Sequence, residues 1–108
     1  MKIKNSISNL YVVAYDIGQD KRRNKVAKLL EQCGYERIQY SVFTGLVPPH
    51  RNKDLWKKIQ KLIDSEEYPE DKIFTFSVSK NAFHNMKIIG NFTADTDYLL
   101  GIKNTEFF

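Results

Sequence analysis

The chain has 108 residues, of which 42% are hydrophobic, and its 17 Lys and Arg against 13 Asp and Glu give a formal net charge of +4. This length fits a single domain over residues 1–108 and excludes two independent domains. The one cysteine, Cys33, excludes an intramolecular disulfide framework, and no segment is apolar for long enough to span a bilayer. We therefore expect a cytoplasmic protein without a membrane anchor.

The positive charge is concentrated in the first part of the chain. Before Ser65 there are 13 basic and 6 acidic residues, a net charge of +7, and after it there are 4 basic and 7 acidic residues, a net charge of −3. A one-sided basic surface attracts polyanions such as nucleic acids. Lysine-rich helix faces also serve simply to keep proteins soluble, so charge alone leaves both interpretations open.

The first predicted elements are a buried strand and an amphipathic helix. Residues 10–15 form a continuous apolar run that is typical of a strand buried on both faces, and residues 1–9 are expected to be a loose tail. The helix is capped by Asp20 and ended by Gly34. Its apolar positions are Val26, Leu29, Leu30 and Cys33, and its opposite, solvated face comprises Lys21, Arg22, Lys25 and Lys28.

A hairpin and a second helix are predicted next. Residues 36–40 and 42–47 are β-like, with a bend near Ser41, and a pair of prolines ends the second strand. Apolar residues at helical spacing over residues 55–63, flanked by lysines, predict an amphipathic helix. Both helices therefore have one apolar face to bury.

The last part of the chain is predicted to be mainly β. Residues 72–79 alternate, with Phe74 and Phe76 on the same face, as expected of a half-covered strand. Residues 80–108 are interpreted as a C-terminal strand extension. Its shorter apolar runs, residues 86–89 and 98–102, are candidates for edge strands or for strands exchanged between two chains.

The order β, α, β, β, α, β with additional C-terminal β structure predicts an α+β, ferredoxin-like fold. In this fold both helices cover one face of an antiparallel sheet. The uncovered face would carry Phe74, Phe76 and aromatic residues from 40–47. A two-fold homodimer that packs sheet against sheet would bury that face.

Asp16 is the one residue that strand propensity does not explain, because it ends an apolar strand with a carboxylate. It either accepts backbone N–H groups of the turn that follows, or it binds a divalent cation. One carboxylate per chain is few for a metal site. Two copies of Asp16 facing each other across a two-fold axis would make a shared site.

The motifs Tyr15-Asp16-Ile17, DKRRNKVAKLL at residues 20–30, Gly34 and QYSVF at residues 39–43 resemble the small CRISPR-associated adaptation nuclease family, Cas-two. The resemblance is close over residues 10–47 and looser through the second helix, the 72–79 strand and residues 87–90. It implies a ferredoxin-like homodimer with divalent-metal-dependent phosphodiesterase activity on RNA or DNA, and with RNA or double-stranded DNA as its nucleic-acid partner. It also implies a partnership with the integrase that inserts new CRISPR spacers.

The resemblance also implies a set of site residues. Asp16 takes the place of the family's metal-binding acid, with Mg²⁺ or another divalent cation such as Mn²⁺ as cofactor. Lys25 stands where many members have Arg, which keeps the charge but loses the bidentate fork. The other positions that the family uses around its catalytic site are Tyr15, Arg23, Arg37 and Phe43.

Two functions fit these residues. In the first, the dimer is a metal-dependent endonuclease at Asp16. In the second, it is a non-catalytic scaffold that grips a DNA duplex by its phosphates and binds the integrase. The residues expected to contact nucleic acid are Lys21, Arg22, Lys25 and Lys28. The motifs predict phosphate contacts and no base-reading pattern, so they do not separate RNA from DNA.

Overall fold

A computed structural model describes residues 9–63 and 66–90. None of the helices in these ranges is long and apolar enough to cross a membrane. The elements, in chain order, are β1 (Asn9–Asp16), α1 (Asp20–Gln32), β2 (Glu36–Gln39), β3 (Val42–Gly45), a 3₁₀ turn (Pro49–Arg51), α2 (Lys53–Leu62), β4 (Lys72–Ser79) and α3 (Lys80–His84). The predicted β, α, β, β, α, β order is confirmed.

The four strands form one antiparallel sheet in the order β2-β3-β1-β4, which is the ferredoxin-like arrangement. The apolar strand β1 lies in the middle, where Val13 pairs with Phe43 of β3 on one side and with Thr75 of β4 on the other. The predicted hairpin is confirmed as β2–β3, and its register shifts between Arg37 and Gln39. The sheet therefore places the end of β1, where Asp16 lies, beside the β2–β3 turn.

The core lies between the sheet and the helices α1 and α2. It comprises Val13, Tyr15, Ile17, Val26, Ala27, Leu30, Tyr35, Phe43, Leu55 and Ile59. The predicted apolar faces of both helices are thus buried against alternate residues of β1 and β3. Phe43 is fully buried on this side, so the expectation that it belongs to the uncovered face of the sheet is wrong.

The face of the sheet away from the helices carries exposed aromatic residues, as predicted. Phe74 and Phe76 of β4 are 51% and 49% exposed. Ile73, which alternates with them, packs against the core. Isolated exposed apolar side chains are ordinary, but two adjacent phenylalanines on one strand face form a patch that favours a partner.

The ends of α1 differ in detail from the prediction. Gln19 occupies the N-cap position, and Asp20 lies in the first turn, where its negative charge interacts favourably with the helix dipole. Gly34 follows the helix with φ of +91°, a backbone conformation that glycine adopts without strain. Cys33 was expected on the apolar face, but it is exposed because the helix ends at the preceding residue.

Residues 86–89 do not form an edge strand of this sheet, and their exchange between two chains stays a prediction. Ser79 caps the short helix α3 by accepting a hydrogen bond from Ala82 N at 3.0 Å, and Phe83 buries this helix against the domain. The chain then continues without strand pairing from 86 to 89, where Ile89 is fully exposed. The second candidate strand, residues 98–102, and the predicted tail before Asn9 lie outside the described residues.

Candidate active site

A cavity of roughly 450 Å³ lies at the end of β1, between the start of α1 and the β2–β3 turn. Its lining residues are Asp16, Ile17, Asp20, Arg23, Asn24, Arg37, Tyr40 and Ser41. Three of the predicted site residues, Asp16, Arg23 and Arg37, therefore meet in one place. They come from three separate elements, which is the arrangement expected of a functional cavity.

Asp16 presents an accessible carboxylate to this cavity. Its side chain is 79% exposed, and Lys72, its register partner on β4, lies with Nζ 3.9 Å from Oδ2. The N–H of Gly18 in the following turn donates to Asp71 Oδ1 at 3.1 Å. This turn donor therefore binds the carboxylate of Asp71 and not that of Asp16. This geometry favours the ligand-binding interpretation of Asp16 over the turn-forming one.

Arg23 holds the wall of the cavity together. Its Nη1 donates a hydrogen bond to the carbonyl oxygen of Ile17 at 2.8 Å, and its Nη2 forms an ion pair with Asp20. The side chain remains about one third exposed. Arg23 therefore fixes the turn between β1 and α1 while keeping a positive charge beside Asp16.

Arg37 contributes the second positive charge. Its guanidinium carbon lies 5.2 Å from the centre of the Phe43 ring, a cation–π contact from the cavity into the core. Within the described part of the chain, its buried Nε has no hydrogen-bond partner. A buried unsatisfied donor carries a desolvation cost. Because Arg37 also lines the cavity, its positive charge is suited to attract an anionic ligand there.

Tyr15 and Phe43 do not line the cavity. Their rings stack with centroids 6.1 Å apart, and both side chains are almost completely buried beneath it. Tyr15 Oη donates to the carbonyl oxygen of Tyr40 at 3.5 Å. The structure thus places these two predicted catalytic residues as packing support for the site, because neither ring is accessible to a substrate.

Arg22 was predicted to lie on the solvated face of α1 and to contact nucleic acid; its placement on the solvated face is wrong, and the structure does not test the contact. The side chain is buried, stacks on the ring of Tyr68 with 3.4 Å from Cζ to the centroid, and forms an ion pair with Asp71. It also donates to Gln19 Oε1 and to the carbonyl oxygen of Leu62, each at 3.0 Å. Arg22 is therefore the centre of a clamp between α1, the end of α2 and the residue before β4.

The clamp affects the titration of Asp71. Burial opposes ionisation of its carboxyl, but the N–H of Gly18 and the guanidinium of Arg22 outweigh that effect and lower its pKa below the ordinary value for Asp. Because Asp71 also holds Gly18, the ionised clamp fixes the turn that follows Asp16.

We expect the clamp to make stability depend on acid pH. The folded-state pKa of Asp71 is lower than the unfolded one, so its contribution is present above about pH 4, the unfolded pKa, and is lost as the pH falls through the folded pKa. The Asp71→Asn variant should be less stable at neutral pH and should lose less stability on acidification. Urea unfolding over this range tests this, with exposed Asp54→Asn as control; equal pH dependence of wild type and Asp71→Asn would contradict it.

The remaining predicted nucleic-acid contacts lie outside the cavity. Lys21, Lys25 and Lys28 are exposed on α1, as expected. Lys25 and Lys28 border a shallow groove of roughly 400 Å³ between α1 and α2, which Lys58 and Lys61 border from the other side. The two helices together thus present a lysine-rich surface that the residue pattern of one helix did not predict.

The cavity can hold a hard divalent cation only with additional ligands. In residues 9–63 and 66–90, no group of three or more Asp, Glu, His or Cys is placed to hold a metal. The accessible carboxylate of Asp16 and that of Asp20 nearby supply the oxygen ligands that Mg²⁺ prefers, and water or phosphate oxygens usually complete such a site. These oxygen ligands are of the type that Mg²⁺ prefers, and a metal at Asp16 stays a prediction that requires further ligands.

Sequence reasoning missed three features of the site. Asn24 lies one residue after Arg23 on α1, and Asp20 was interpreted only as a cap, although both line the cavity. Tyr40 was treated only as one of the aromatic residues of 40–47. The available signal was its position: an aromatic residue at a tight β turn has little chance of reaching the core.

The fold and the cavity define a small ferredoxin-like domain with mixed acidic and basic groups at the end of its central strand. The family model described as CRISPR associated protein Cas2 matches residues 9–86. The chain therefore belongs to the Cas2 family.

Individual relatives agree with this assignment. CRISPR-associated endoribonuclease Cas2 3 of Synechocystis sp. is 48% identical over 58 residues, which cover 54% of this chain and 62% of the relative. The chain thus spans less than two thirds of that protein. CRISPR-associated endoribonuclease Cas2 1 of Archaeoglobus fulgidus is 33% identical over 98 residues, which cover 91% of this chain and 98% of the relative.

Solved structures show the same fold. Streptococcus pyogenes Cas2 is 30% identical and superposes with a TM-score of 0.58, covering 75% of this chain and 99% of that chain. A chain of a partial Cas6-RT-Cas1–Cas2 complex is 31% identical, also with a TM-score of 0.58, and covers 81% of this chain and 98% of that chain.

Proposed function

We propose that this protein acts in CRISPR adaptation and cleaves phosphodiester bonds of RNA or DNA in a metal-dependent reaction at the Asp16 cavity. The observation that carries this proposal is the exposed carboxylate of Asp16 in one cavity with two arginines, Arg23 and Arg37. Relatives over most of the chain length are named endoribonucleases, which supports the reaction class.

The residues of the cavity have separable roles in this proposal. Asp16, with Asp20, would hold Mg²⁺ or Mn²⁺, and the bound cation would polarise the phosphodiester and favour ionisation of a water. Arg37, which lines the cavity, would place its guanidinium charge near a phosphate oxygen and stabilise charge that develops there. Arg23 keeps the turn after β1 in place through Ile17.

The complete site is proposed to require a two-fold homodimer. Within the described residues, one chain supplies few carboxylates, and the patch of Phe74 and Phe76 on the open face of the sheet provides an apolar surface for a second copy. Ile88 and Ile89, exposed after α3, would extend that contact. The second copy of Asp16 would then complete the set of ligands.

We expect cleavage to depend entirely on a divalent cation. The purified protein is incubated with end-labelled single-stranded RNA, single-stranded DNA and duplex DNA, in EDTA or with Mg²⁺ or Mn²⁺. Cleavage of at least one substrate in the metal-containing reactions alone supports the proposal. Equal cleavage in EDTA, or no cleavage of any substrate with either metal, would overturn it.

A second candidate function is a DNA-binding scaffold for an integrase partner, favoured by the lysine-rich surface of α1 and α2. A structural neighbour is part of a complex named Cas1–Cas2, which supports such a partner. Removal of one lysine that binds a phosphate should reduce the salt slope of duplex binding by about 0.9.

The scaffold function is tested by duplex binding at several salt concentrations. The triple variant Lys21→Ala, Lys25→Ala, Lys28→Ala should bind more weakly and with a shallower salt slope than the wild type. Lys87→Ala, an exposed lysine outside both helices, is the control. If the triple variant binds duplex DNA with the same affinity and salt slope as Lys87→Ala, the scaffold function of this surface is contradicted.

A further inference from the structure

Tyr40 is an exposed aromatic side chain at the rim of the Asp16 cavity. The residue is 75% exposed, although the neighbouring β-strand residues Ile38 and Phe43 are buried. The open-face patch is made of Phe74 and Phe76 on β4, whereas Tyr40 lies at the β2–β3 turn. Packing within the chain therefore does not explain why an aromatic residue occupies this position.

The backbone that carries Tyr40 is fixed from below. Tyr15 Oη donates to the carbonyl oxygen of Tyr40 at 3.5 Å, and Tyr15 N donates to the carbonyl oxygen of Ser41 at 3.1 Å. The shifted register between β2 and β3 precedes this turn. The ring is thus attached to an ordered part of the core and still has its faces accessible.

The surroundings of the ring indicate the kind of ligand. Arg23 and Arg37 line the same cavity and attract a phosphate, and Asp16 marks the point of proposed cleavage. An aromatic face beside arginines is the combination that proteins use to bind an unpaired nucleotide, because the base stacks on the ring while the backbone is neutralised. A base inside a duplex is already stacked and does not offer its face to a side chain.

We propose that Tyr40 forms a nucleobase subsite, in which its ring stacks on an unpaired base next to a phosphate that Arg23 and Arg37 attract. This inference rests on the proposed function, since it assigns the cavity to nucleic acid. The Tyr40 subsite would make the binding of nucleic acid depend on the presence of a base as well as on the charge of the phosphates.

A thermodynamic cycle separates stacking from charge. Wild type, Tyr40→Phe, Tyr40→Leu and Tyr40→Ala are titrated in EDTA with a fluorescent single strand and with a strand of the same length whose residues are all abasic. We expect Tyr40→Ala and Tyr40→Leu to bind the normal strand about 5- to 150-fold more weakly. All four proteins should bind the abasic strand equally, and Tyr40→Phe should match the wild type on both strands.

The controls keep binding separate from folding and from cleavage. Leu46→Ala removes another exposed apolar side chain, 59% exposed and outside the cavity lining, and should bind both strands like the wild type. Thermal unfolding verifies that each variant is folded, and Tyr40→Leu retains apolar bulk if Tyr40→Ala does not fold. Equal losses on both strands, or no loss on either, would overturn the subsite. The binding titrations are made in EDTA, which prevents metal-dependent cleavage, so their outcome does not depend on nuclease activity. Absence of nuclease activity in the cleavage experiment would therefore overturn the proposed function and leave the subsite proposal standing.

Discussion

Replacing Asp16 by Ala is expected to reduce metal-dependent cleavage by about 10³-fold or more. A carboxylate that holds the cation contributes several kcal/mol to stabilisation of the transition state, and each 1.36 kcal/mol corresponds to about a factor of ten in rate. Single-turnover cleavage of the best substrate, with protein in excess and saturating Mg²⁺, measures the effect on the chemical step.

The fold should be unaffected by Asp16→Ala. The side chain is 79% exposed and its pairing with Lys72 is loose at 3.9 Å, and exposed ion pairs of this kind contribute at most about 1 kcal/mol. Asp54 is a closely matched control, since its side chain is also 79% exposed and pairs with Lys58 at 3.2 Å. If Asp16→Ala and the control Asp54→Ala both cleave at the wild-type rate, in protein free of contaminating nuclease, the catalytic site lies elsewhere.

The fold was predictable because local patterns and tertiary structure agree. The apolar run of β1 has no polar residue until Asp16, so it can be buried on both faces only as a central strand of the sheet. The alternating pattern predicted for β4 is also observed, with Phe74 and Phe76 on the open face. The region after β4 was not predictable in this way. Ser79 provides a helix cap there, and this local signal outweighed the apolar run that follows.

The site was only partly predictable for a different reason. Asp16 departs from strand propensity, and Arg23 and Arg37 were assigned through the family motif. Arg22 was misplaced because a helical wheel contains no information about Asp71, which follows α2 in the sequence and lies beside α1 in the folded chain. Periodicity predicts which face of a helix is apolar, and it does not predict a buried ion pair with a distant residue.

Substitution of Phe43 tests whether the core beneath the cavity affects only the stability of the protein or also its cleavage rate. The side chain is fully buried and stacks on Tyr15. Phe43→Ala should therefore lower the free energy of unfolding by about 3–5 kcal/mol, as removal of a buried Phe usually does. A domain of this size has a total stability of about 5–15 kcal/mol, so the loss is expected to leave the variant near its unfolding threshold. Urea unfolding followed by tryptophan fluorescence measures it.

A milder variant separates support from catalysis. Phe43→Leu keeps most of the apolar volume, so it should remain folded and cleave at nearly the wild-type rate per folded molecule. Val13→Ala is the matched control, because Val13 is fully buried and pairs with Phe43 across β1 and β3. If both lower stability and neither lowers cleavage, Phe43 is a core residue. A folded Phe43→Leu variant with more than about a tenfold loss of rate would instead require the ring to position Arg37, whose guanidinium lies above it.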